Sequence, residues 1–100
     1  MAADPSAEAG APLRATALIV NEKGLHARAA ARFVKTAGEF EATLEVTRNG
    51  TTVEGTSIMG LMMLAAAPGT TLDIQARGPQ AKAALDAILA LIADRFGEDR

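Results

Sequence analysis

The chain has a single histidine, His26, placed directly after Gly24-Leu25 and before an alanine-rich run that begins Ala27-Arg28. A side chain at the start of a helix lies beside backbone N–H groups that have no intrahelical acceptor. The partial positive charge there opposes imidazolium formation and welcomes an anion, which suits a neutral, nucleophilic ring able to hold a phosphoryl group. Arg28 adds a planar guanidinium that stays charged at any relevant pH and matches phosphate oxygens. Together the two make a candidate covalent phosphoryl site. Spacing alone leaves a plainer alternative open for each, with His26 as a helix cap and Arg28 as a solvated helix residue. Ser57, at the head of the run IMGLMML, is placed to cap the element it opens.

Little else in the chain could do chemistry. It has no Cys and one His, so a disulfide framework, a thiolate metal site, a redox dithiol and a histidine-rich metal cage are all excluded. Asp73, Asp86, Asp94 and the glutamates show no paired spacing around a cleft and read as solvated surface. Ten basic residues against twelve acidic ones give a formal charge of -2, too balanced to grip nucleic acid or an anionic membrane. Three Phe and no Trp or Tyr leave no platform for base stacking. The apolar stretch over 58–67 is too short to span a bilayer.

The elements that must position these residues fit one domain of 100 residues, 49% of them hydrophobic. Residues 1–12 are small, acidic and proline-bearing and read as a disordered leader without the features of a secretory signal. Residues 13–20 suit a strand with Ala15, Ala17 and Ile19 on one face, and Asn21-Glu22-Lys23-Gly24 supplies a turn. A helix follows over 27–37, its stripe formed by Ala30, Phe33, Val34 and Ala37, with Gly38 as the stop. Strict alternation over 40–47 predicts a half-buried strand, and Asn49-Gly50 a hairpin turn into a returning strand over 51–56. Residues 58–64 allow about two helical turns, weakened by Gly60. A fourth strand over 70–77 precedes a helix whose stripe runs Leu85, Ile88, Leu89, Ile92 and Phe96. The order βαββαβα predicts an α+β open-faced sandwich over 13–97, a four-stranded antiparallel sheet with three helices on one face, and a tail over 98–100.

The segments GLHARAAARFV and SIMGLMML, in this order, at this separation and within this element order, resemble the histidine-containing phosphocarrier (HPr) family of the bacterial phosphoenolpyruvate-dependent phosphotransferase system. The resemblance implies a phosphoryl-transfer intermediate rather than a free-standing enzyme. His26 would accept the group at Nδ1 from phosphorylated Enzyme I and pass it to a histidine of an Enzyme IIA protein, in a sugar-transport or a nitrogen-related branch, with Arg28 neutralising phosphate. Ser57 would be a regulatory phosphorylation site where an HPr kinase/phosphorylase exists. Ala31, Arg32, Ile58 and Met62 would belong to the partner-binding patch, and of Ile58, Met59, Met62 and Met63 about half are expected in the core. The family usually has proline after the arginine, where this chain has Ala29, a change that bears on rate or branch. The expectation is a cytoplasmic monomer that needs no metal or cofactor. The alternative is a non-catalytic interaction module controlled by phosphorylation of Ser57.

Overall fold

The computed structural model describes residues 11–100, so the leader expected over 1–12 lies outside the described residues apart from Ala11 and Pro12. The chain folds as β1 (Leu13–Leu18), α1 (Ala27–Ala37), β2 (Thr43–Arg48), β3 (Thr51–Glu54), α2 (Ile58–Met63), β4 (Thr71–Arg77) and α3 (Ala81–Ala93), followed by a short 3-10 turn at Arg95–Gly97. The strands form one antiparallel sheet in the order β1-β4-β2-β3. β4 lies in the middle and pairs Ala17 with Leu72 on one side and Val46 with Ile74 on the other. The architecture is the open-faced α+β sandwich the element order implies.

Period-two alternation decides which sheet face is covered. Ala17, Leu44, Val46, Leu72, Ile74 and Ala76 point inward and are buried against Phe33 of α1, Leu61 of α2 and Ile88 and Ile92 of α3. On the uncovered face short polar pairs cross the strands, Thr16 donating to Asp73 at 3.0 Å and Thr47 meeting Thr52 at 2.7 Å. The hairpin between β2 and β3 turns at Asn49 and Gly50 with φ of 51° and 80°, the doubly left-handed geometry that the Asn-Gly pair tolerates.

β1 and β3 each end two residues before the expected bound, at Leu18 and Glu54, and two other elements differ more from the sequence expectation. Phe40 and Ala42 precede β2 rather than belonging to it, because their stretch of backbone bonds elsewhere: Phe40 N–H to the Ala37 carbonyl, Glu41 N–H to the Gln80 side chain, and the Glu41 carbonyl to Gln80 N–H. Both still pack on the core, so the alternation names the right face beyond the strand itself. The last helix stops at Ala93, short of Phe96. Arg95 and Phe96 take left-handed φ of 58° and 55°, which folds Phe96 back into the core with no exposed surface. Its place on the helical stripe is thus filled through a turn. Burying a ring of that size offsets a conformation that costs an ordinary residue about 1–2 kcal/mol.

Candidate functional site

The site grows from the end of β1. After the buried Ile19 the chain turns at Asn21, itself fully buried, whose Nδ2 donates to the Gly24 carbonyl at 2.8 Å while Gly24 N–H donates to the Asn21 carbonyl at 3.1 Å. Gly24 has φ of 65°, and a Cβ there would stand 2.4 Å from the Ala66 carbonyl oxygen, so only glycine fits. Leu25 N–H then bonds that same carbonyl at 2.9 Å. The turn is thereby pinned to the loop that follows α2, and the next residue, His26, is delivered to the N-terminus of α1.

His26 has the backbone of an N-cap, with Ala30 N–H bonded to its carbonyl at 2.8 Å, but its side chain makes no capping bond. The plain capping role is therefore not what holds the ring. Nε2 lies 2.5 Å from Oε2 of Glu98, and the other Glu98 oxygen accepts from Asn21 Nδ2 at 2.9 Å. Burial would raise the Glu98 pKa, but hydrogen bonds from Asn21 and His26, with the charges of His26 and Lys23, outweigh it and hold the carboxyl below its ordinary value. An ionised carboxylate only accepts, so the proton between the two groups belongs to Nε2, and in the neutral form of the ring the lone pair is then on Nδ1. Among the described residues no hydrogen bond engages Nδ1. Glu98 and Asn21 were missed as site residues by the sequence reading, which placed the first among solvated glutamates and in the tail and the second in a turn. Glu98 is mostly covered, and the pair it makes with His26 spans 72 positions. The useful signal was Phe96, whose place on the apolar stripe ties the chain end to the core two residues earlier.

The backbone N–H groups of Ala27, Arg28 and Ala29 precede the first intrahelical bond and are free for an external acceptor. Ala29 is buried and, unlike the proline usual in the resembled family, carries one of these donors. Arg28 is exposed and makes no ion pair among the described residues. It lines a cleft of about 480 Å³ with Glu22, Lys23, Arg32 and residues 97–100. Ala31 and Arg32 are exposed on α1, and Arg32 also donates to the Phe96 carbonyl, clamping the turn that carries Glu98.

Ser57 is a working N-cap, its hydroxyl accepting from Gly60 N–H at 2.9 Å. The expectation that half of the large apolar residues of α2 belong to the core is corrected. Ile58 and Met62 are 40% and 41% exposed and Met59 and Met63 are 72% and 74% exposed, because a helix of six residues lying on α1 has one buried contact, Leu61.

Fold and site together define a small open-faced sandwich that presents one histidine, ring tautomer fixed, at an uncapped helix N-terminus. Residues 13–94 match the family model described as "PTS HPr component phosphorylation site". The chain belongs to the HPr family, the phosphocarriers of the phosphotransferase system. It is 51% identical over 80 residues to the phosphocarrier protein HPr of Cupriavidus necator, covering 80% of this chain and 90% of that one. The corresponding protein of Neisseria meningitidis serogroup A is 48% identical over the same shares of each chain. The crystal structure of an HPr from Thermoanaerobacter tengcongensis superposes with a TM-score of 0.84 at 38% identity, covering 88% of this chain and 99% of that one. Among the described residues no helix is long and apolar enough to cross a membrane.

Proposed function

We propose that His26 accepts a phosphoryl group at Nδ1 from phosphorylated Enzyme I and hands it to a histidine of an Enzyme IIA protein, serving a sugar-transport or nitrogen-related branch in the cytoplasm as a monomer. The observation that supports this most is the division of the imidazole: Nε2 is committed to Glu98 while no hydrogen bond among the described residues engages Nδ1, on a residue that occupies the N-cap of α1. A lone pair on Nδ1 is the nucleophile, the helix N-terminus offers the phosphoryl oxygens donors, and Arg28 supplies positive charge. Transfer then depends on positioning and electrostatics, with both partners' histidines brought close by docking.

The docking surface we assign comprises Ala31, Arg32, Ile58 and Met62, widened to Met59 and Met63 because they are the most exposed large apolar side chains described. Flexible thioethers suit a surface that must meet a donor and an acceptor of different shape. Ser57, half-buried at the edge of this patch, is the proposed second phosphorylation site for an HPr kinase/phosphorylase. A phosphate there would place about two negative charges beside the apolar patch and weaken docking.

Purified protein incubated with phosphoenolpyruvate and Enzyme I should take up one phosphoryl group and lose it when Enzyme IIA is added. His26→Ala should abolish uptake, Ser57→Ala should retain it, and Arg28→Ala should slow it with the fold intact. Labelling that persists in His26→Ala would sink the proposal.

A further inference from the structure

The residues after α3 build a device that phosphoryl carriage as such does not require. The chain reverses through two consecutive non-glycine residues in left-handed conformations, Arg95 and Phe96, the second fully buried. Backbone bonds close the turn, Gly97 N–H to the Asp94 carbonyl at 3.0 Å and Glu98 N–H to the Arg95 carbonyl at 2.9 Å, and Arg32 reaches from α1 to the Phe96 carbonyl. Beyond it Glu22 N–H donates to the Arg100 carbonyl at 3.0 Å. All of these contacts converge on the placement of one side chain, Glu98, between Asn21 and His26. Asn21 gives both of its amide N–H groups to this arrangement while its Oδ1 stays buried without a partner. Strain and an unsatisfied polar atom at one place are costs that a fold tolerates where geometry matters.

We infer that Glu98 is a positioning residue for His26, fixing the ring plane and the Nε2–H tautomer and stabilising the charge that the ring acquires when Nδ1 is phosphorylated. This rests on the carrier reading above. In the step itself the Nδ1 lone pair forms the bond to phosphorus as the donor's bond to phosphorus breaks and its electron pair returns to the donor. The proton on Nε2 stays where it is, so the ring becomes cationic and the Glu98 carboxylate, 2.5 Å away, meets that charge. The arrangement follows the logic by which a carboxylate orients the histidine of a hydrolase or a metal site. The lowered Glu98 pKa keeps the carboxylate ionised throughout.

The test uses the full chain and its Glu98→Ala and Glu98→Gln variants, with phosphoryl uptake from phosphoenolpyruvate and catalytic Enzyme I followed against carrier concentration. A second readout is the ring N–H resonance of 15N-labelled His26. For Glu98→Ala we expect the maximal rate to fall about tenfold, the usual order for losing a charge-assisted hydrogen bond, with KM little changed. The protected Nε2–H signal should vanish in the same variant. Glu98→Gln, which keeps the shape and an acceptor but not the charge, should fall between and guards against loss of fold. An unchanged rate in both variants, or a rise in KM alone, would overturn the positioning role while wild-type labelling left the carrier reading standing. Absence of labelling in the wild type would overturn both.

Discussion

At His26 the two ring nitrogens have different surroundings, and that difference is what supports the proposal of a reactive site at an otherwise ambiguous residue type. One nitrogen donates to a carboxylate, and among the described residues no hydrogen bond engages the other, on a residue that sits at the N-cap of α1. Ser57 is the contrasting case, since its hydroxyl already has the structural task of accepting from Gly60 N–H. Ser57→Ala should therefore lower stability by about 0.5–2 kcal/mol, read from a denaturant titration, and unchanged stability would show that the cap contributes nothing. The candidate residues that the sequence offers are those whose proposed meaning is local. His26 and Arg28 stand two positions apart at a helix start, and Ser57 sits at the head of its own helix. Asn21 and Glu98 were illegible because their roles exist only once β1 and the end of α3 are brought together, and no spacing rule links positions so distant.

Among the elements, α1 was the most legible, since its alanine content and apolar stripe both point to Ala27–Ala37. The end of α3 was not, because helical periodicity continues through Phe96 while the backbone does not. Periodicity reports which side chains are buried, and a buried side chain can be reached by a turn as well as by a helix. The exposure of α2 was also hidden, because apolar residues on a short helix look like core until the helix is seen lying on the outside of α1. The turn before α1 joins fold to site most directly. Gly24→Ala would force an ordinary residue into a left-handed conformation and drive its Cβ onto the Ala66 carbonyl. A cost above about 1 kcal/mol is expected, seen as a melting temperature lower by about 4 °C or more, together with slower phosphoryl uptake. A melting temperature equal to wild type would mean that the loop after α2 does not pin His26.

For the whole molecule, near-balanced charge offers no long-range field, so the proposed docking rests on the exposed methionine helix and on the cleft lined by Arg28, Arg32 and Glu98. The fold couples to pH through Glu98, which is faced by His26, Asn21 and Lys23 and shares its cleft with Glu22, Arg28, Arg32, Asp99 and Arg100. Its folded pKa is depressed, so the unfolded chain binds the proton more readily. The stabilisation is therefore complete above the usual glutamate range, about 4.3, and is lost as pH falls through the lower folded value. The gap in melting temperature between wild type and Glu98→Gln should be widest near neutral pH and close on acidification, whereas a gap independent of pH would show that the carboxylate charge is not involved. The most direct test of the carrier role is intact-protein mass spectrometry of wild type and His26→Ala after incubation with phosphoenolpyruvate and Enzyme I, repeated after brief acid treatment. One acid-labile phosphoryl adduct, present in wild type and absent from His26→Ala, is the expected result; no adduct on the wild type, or an acid-stable one, would contradict the account.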